Sequence, residues 1–179
     1  MSASSSASPN RRRATILFAD IYGYSRLMNK DELGTYERVT RSIALIRSLI
    51  DDYGGQVVQT VGDGVLALFE EAGAALRFSV EMQREFRNDV VWNSEGDPIA
   101  FRIGINEGEV LIGENGVQGH SVNIAARIQA IAKPGGICVS ATVHDSIGDE
   151  SSHSMRALGP KKLKNIAELV EIFAVELDG

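Results

Sequence analysis

The sequence has no second cysteine. Cys138 stands alone among 179 residues, so an internal disulfide is excluded and an intracellular, cytoplasmic setting is expected. Long hydrophobic runs are absent as well. None approaches the ~20 residues that a membrane-spanning helix needs, and Met1–Arg13 holds no apolar segment that would read as a secretory leader. Basic residues are in deficit, 18 Lys and Arg against 24 Asp and Glu, for a net charge of −6. That balance argues against a nucleic-acid partner, which requires a broad cationic face. Aromatics make up 6% of the chain, and Trp92 has no aromatic neighbour with which to form a stacking platform. Three histidines, His120, His144 and His153, lack the spacing of a metal site. Neither the GxxxxGK[ST] nor the GxGxxG phosphate loop occurs, and there is no nucleophile elbow.

What remains is an ordinary globular composition, 44% hydrophobic and 23% charged, in a length that suits one domain. Residues 1–11 are Ser/Ala-rich and polar and read as a disordered tail, with Arg11–Arg13 as a solvated basic flank and residues 12–179 as the domain. Ala14–Ile21 is a short apolar run, a buried strand ending near Asp20. Asp31–Tyr53 repeats Leu33, Tyr36, Val39, Ile43, Ile46, Leu49 and Ile50 at helical steps. Residues 56–61 and 64–69 are β-rich runs joined by Gly62-Asp63, a hairpin signal. A second helix is expected over 71–88, a polar loop over 89–98, and strands over 100–106 and 109–113. A helix over 121–132, a strand over 137–139, a short helix and further strands ending at 169–177 complete the chain. The order implies an α+β fold, a ferredoxin-like, mostly antiparallel sheet with helices packed on one face.

In such a sheet the end of the first strand and the first hairpin lie side by side. Asp20 and Asp63 would then offer two carboxylates, the hard oxygen ligands that Mg²⁺ takes. Read on spacing alone, they are better taken as an N-cap and a turn residue, since turn aspartates are very common. The glycine-containing turn after Asp20, with Ser25, could hold phosphate oxygens on its N–H groups. Asn123 and Arg127 are four apart and share a helix face, either as an anion-stabilising pair or as a cap and a surface cation. Arg102 and Lys164 are phosphate ligands or solvated cations. Cys138, between Ile137 and Val139, reads as a core thiol.

Taken in order, FADIYGYSRLM (18–28), GGQVVQTVGDGVLALF (54–69), FRIGINEGEVLIG (101–113), GHSVNIAARIQAIAKPGGICVS (119–140) and LKN with its following strand (163–177) resemble the catalytic domain of class III adenylyl and guanylyl cyclases. GYSRLM and the compact length are similar to the bacterial, rhizobial-type branch. The resemblance implies a metal-dependent purine nucleotide cyclase using two divalent ions, Mg²⁺ or Mn²⁺. It implies Asp20, Asp63 and the Ile21 carbonyl as ligands. It further implies Gly23, Tyr24, Ser25, Arg102 and Lys164 around the phosphates, and Asn123 and Arg127 at the ribose and transition state. It also implies a head-to-tail homodimer with sites built from both subunits. The substrate implied is ATP, with GTP or relaxed specificity as the alternative and a weakly active nucleotide-binding or dimerisation module as the third reading. These alternatives rest on Gln59 and Gly116. At these base-reading positions adenylyl cyclases of the family usually carry Lys and Asp or Thr, and guanylyl cyclases Glu and Cys or Gly.

Overall fold

A computed structural model describes residues 8–88 and 97–178. Residues 1–7 of the expected tail lie outside the described residues, as do residues 89–96 of the polar loop, Trp92 among them. The elements in chain order are β1 (Asn10–Ile21), α1 (Tyr24–Lys30), α2 (Glu32–Asp52), β2 (Gln56–Val61), β3 (Gly64–Phe69), α3 (Ala72–Asn88), β4 (Phe101–Gly113), β5 (Gly116–Gln118), α4 (His120–Ile131), β6 (Ile137–Ser140), α5 (Ala141–Ile147), β7 (Met155–Lys162) and β8 (Leu169–Val175).

The sheet runs β2-β3-β1-β4-β6-β8-β7, with β5 attached to β4. Its first four strands have the ferredoxin-like order, and β4–β6 is the parallel pair among otherwise antiparallel neighbours. The α+β class and the mostly antiparallel sheet are as expected. Leu17, Ala19 and Ile21 of β1 point into a core shared with Ile46 and Ile50 of α2, Phe78 and Met82 of α3, and Val143 of α5. Ala14 and Ile16 point the other way, where Val122 and Ala125 of α4 cover them. Helices were expected on one face only; instead α2, α3 and α5 share one face and α4 lies across the other, because β1 alternates apolar residues to both sides.

Three local details depart from the sequence pattern, each for a physical reason. The buried stripe of α2 is Thr35, Arg38, Val39, Ser42, Ile46 and Ile50, whereas Leu33 and Tyr36 are 68% and 62% exposed. The polar members are bonded: Thr35 to the Leu27 carbonyl, Arg38 to the Asp97 carbonyl at 2.7 Å, and Ser42 to the Arg38 carbonyl. β1 reaches back to Asn10, and the basic triplet is paired within the chain, Arg11 with Glu109, Arg12 with Glu70 and Arg13 with Glu107. Lastly, β4 is continuous where two strands were expected. Gly108 is not a turn: it faces Ala14 across the ladder, and a Cβ there would stand 2.2 Å from Ser121 Oγ.

Gly104 makes a similar close approach. A Cβ on it would lie 2.2 Å from the Gln129 nitrogen and 2.8 Å from the Ala125 carbonyl oxygen, so α4 rests on β4 backbone to backbone. Gly104→Ala is therefore expected to destabilise the fold by about 1–3 kcal/mol, the range of overpacked cores. A lowered urea midpoint at unchanged slope would show it, and an unchanged midpoint would contradict the packing.

Candidate active site

Asp20 is the penultimate residue of β1 and lies directly opposite Arg102 of β4, on the face that α4 covers. Asp63 sits in the two-residue turn between β2 and β3, where Gly62 adopts φ 58°. The two tips are stitched together by the Ile21 N–H, which donates to Asp63 Oδ2 at 2.8 Å. Asp20 accepts on Oδ1 from Arg102 Nη2 at 3.3 Å and from the Gln129 side-chain amide. Each carboxylate therefore has one oxygen tied, and Asp20 Oδ2 and Asp63 Oδ1 have no hydrogen-bond partner among the described residues. Burial raises the Asp20 pKa above the ordinary carboxylate value. Arg102 opposes that rise, and the neighbouring charge of Asp63 adds to it.

Two close carboxylates, each with an untied oxygen, fit a divalent cation. Among the described residues no cluster of three or more His, Cys, Asp or Glu side chains gathers. Two carboxylates alone would make an incomplete shell, of the kind that further protein oxygens, phosphate oxygens and water complete.

Arg102 is bound differently from a free phosphate ligand. Besides Asp20 it donates to the Ala130 carbonyl at 3.5 Å, and its guanidinium lies 5.6 Å from the centre of the Tyr22 ring. Its Nε is buried with no partner among the described residues. Gln129 was not singled out from the sequence. The signal was a lone amide in the sheet-facing stripe Val122, Ala125, Ile128, Ala132, two residues beyond Arg127.

Asn123 and Arg127 lie on the side of α4 turned away from the sheet. Asn123 is exposed and Arg127 half-buried, and neither side chain has a polar partner among the described residues. They do not converge with Asp20 and Asp63 of the same chain. Lys164 is exposed on the β7–β8 loop. Leu163 and Ile166 bury that loop against Ile124 and Ile128 of α4, Lys162 donates to the Ile166 and Ala167 carbonyls, and Glu168 pairs with His120 at the start of α4. Lys164, Asn123 and Arg127 are thereby held on one body.

The remaining candidates occupy the surroundings. Gly23 takes φ 69° and caps α1, while Ser25 is exposed and Tyr24 packs on the main core. Gln59 is exposed on β2 just after a bulge. Gly116 has φ 92° at the start of β5, with open space where a side chain would be, and β5 comes within 8 Å of β2 between Cα atoms. A cavity of about 500 Å³ lies elsewhere, beside the start of α3, and none of these residues lines it.

The fold is that of the class III nucleotidyl cyclases. The model of the adenylate and guanylate cyclase catalytic domain matches residues 7–176, and the chain belongs to this family. It is 34% identical over 164 residues, 91% of its length, to a Rhizobium meliloti protein provisionally named adenylate cyclase 3. It is 30% identical, over 92% of its length, to an adenylate cyclase of Anabaena cylindrica. The chain spans only 28% and 37% of those two relatives. The crystal structure of an adenylate/guanylate cyclase/hydrolase from Silicibacter pomeroyi superposes with a TM-score of 0.87 at 39% identity, over 95% of this chain and 99% of that one. The family generally uses divalent metals. No described helix is long and apolar enough to cross a membrane.

Proposed function

We propose that this chain is a cytoplasmic purine nucleotide cyclase that converts ATP to 3′,5′-cyclic AMP and pyrophosphate. It works as a homodimer with composite sites, and residues 12–179 form the catalytic unit. The observation that carries this reading is the division of the site. Among the described residues, Asp20 and Asp63 each present an oxygen without a partner, while Asn123 and Arg127 on the far side of α4 and the exposed Lys164 have no polar partner. A second copy placed head to tail brings the two sets together, and a C2 pair then holds two equivalent sites.

In each site Asp20, Asp63 and the Ile21 carbonyl would hold two divalent ions. The chemistry supplied by Mg²⁺ or Mn²⁺ there is a lowered pKa for the ribose 3′-hydroxyl and neutralised charge on the departing pyrophosphate. The turn at Gly23, Tyr24 and Ser25 borders the triphosphate. Arg102 joins it by exchanging its bond to Asp20 for one to a phosphate. From the other subunit Asn123 orients the ribose, Arg127 stabilises charge on the five-coordinate phosphorus, and Lys164 binds the terminal phosphates. The 3′-oxygen bonds to the α-phosphorus as the bond to pyrophosphate breaks, so no protein nucleophile is required.

The base-reading pair supports a second reading, relaxed choice between ATP and GTP. The exposed Gln59 amide can donate to adenine N1 or accept from guanine N1–H, and Gly116 makes no demand. Purified protein with Mn²⁺ and either nucleotide should yield cyclic product, measured for both bases. Binding without any turnover would instead favour a nucleotide-binding module. Gln59→Lys is expected to raise the ATP-to-GTP ratio of kcat/KM about tenfold, roughly 1.4 kcal/mol. A matching aspartate at 116 is a harsher change, because φ 92° suits glycine. An unchanged ratio in Gln59→Lys would remove Gln59 from base reading.

A further inference from the structure

We propose that Gln129 is a positioning residue for Asp20: its amide holds Oδ1 of the carboxylate and so keeps Oδ2 free for a divalent cation. This rests on the reading of Asp20 as a metal ligand. Gln129 is 6% exposed, on the sheet side of α4. The bare backbone at Gly104 lets its main-chain nitrogen come within 2.2 Å of where a Cβ would stand. Gln129 thus springs from directly above β4, the strand beside β1, and its side chain reaches across to Asp20. A buried amide needs a partner, and the Gln129 NH₂ group takes Asp20 Oδ1.

The alternative partner for Asp20 is Arg102. The Nε and Nη2 of an arginine form one edge of its planar fork, which matches both oxygens of a carboxylate. Here only Nη2 reaches Asp20, at 3.3 Å, and the buried Nε is left without a partner among the described residues. The fork is half-made. A rotation of the Asp20 carboxylate that brought Oδ2 to Nε would complete the fork and close the cation site. Gln129, donating to the same Oδ1 from α4, opposes that rotation. It also leaves Arg102 bound weakly enough to exchange towards a phosphate. An amide is required at 129 because a donor must face the carboxylate. A methylene-only side chain of similar length would fill the space without holding the oxygen.

The test is Mn²⁺ binding, followed by electron paramagnetic resonance, with 3′-deoxy-ATP present so that nothing turns over. Gln129→Met, unbranched and of similar length, is expected to weaken Mn²⁺ binding about tenfold, the low end of losses when a partner of a metal ligand is removed. Gln129→Leu, checked by its melting curve, should match it. In an Arg102→Leu background the competing fork is gone, and Gln129→Met should then change Mn²⁺ affinity less than about twofold. A purely structural role would weaken binding equally in both backgrounds, and that result would overturn the proposal. Asp20→Asn separates the two readings. If it weakens Mn²⁺ binding and Gln129→Met does not, only the role of Gln129 falls. If Asp20→Asn leaves binding intact, the metal assignment falls with it.

Discussion

Asp63→Asn is expected to remove more than about a hundredfold of cyclase turnover, beyond the 10–100-fold typical for partners of a metal ligand, while leaving the fold intact. The asparagine oxygen can still accept from the Ile21 N–H, the bond that stitches the hairpin to the end of β1. What is lost is the negative charge and with it most of the attraction for a cation. Asp63→Ala is the less informative variant. It leaves the Ile21 N–H without its acceptor beside a residue only 2% exposed, a cost of about 1–3 kcal/mol. The two variants should therefore share the loss of cyclic product and differ in urea midpoint. Full activity in Asp63→Asn at saturating Mn²⁺ would sink the metal assignment.

Mixing Asp20→Asn with Arg127→Ala should restore activity that neither protein has alone. Arg127 faces away from its own sheet, and Asp20 is held beneath the same helix by Gln129. If sites are composite, a mixed dimer has one site with every native group and one with both defects. Random exchange at equal amounts makes half of the dimers mixed. Recovery should then approach about a quarter of native activity, as the two-fold arrangement requires. The measurement is cyclic product against mixing ratio, with exchange verified by differently tagged subunits. Exchange without recovery would mean that each chain completes its own site.

Much of this was legible in the sequence because it depends on short-range patterns. The Gly62-Asp63 pair between β-rich runs fixed the hairpin, and the apolar run before Asp20 fixed the end of β1, so the carboxylates were found together. Four-residue spacing set Asn123 and Arg127 on one side of α4. What was not legible depends on what lies opposite in space. Gly108 looked like a break in a strand and is a close approach to Ser121. Leu33 and Tyr36 looked like core, but bonded Thr35, Arg38 and Ser42 took the inner side of α2. That Arg102 holds Asp20, and that Gln129 shares the same oxygen, follows from β1–β4 register and from the seating of α4, neither of which is written locally.

The contact at Gly104 also constrains how the site can close. Helices usually lie on a sheet over a cushion of side chains, and such a cushion can shear by changing rotamers. Here strand meets helix main chain to main chain, with no cushion at the point of contact. At that point α4 has little room to roll or slide over β4, which favours Asn123 and Arg127 moving together with the sheet. If two copies share the sites as proposed, tightening around a nucleotide would come from one whole subunit turning against the other as a rigid body. In that arrangement, anything governing the proposed cyclase from outside the domain would act on that turn, through the angle at which two copies meet.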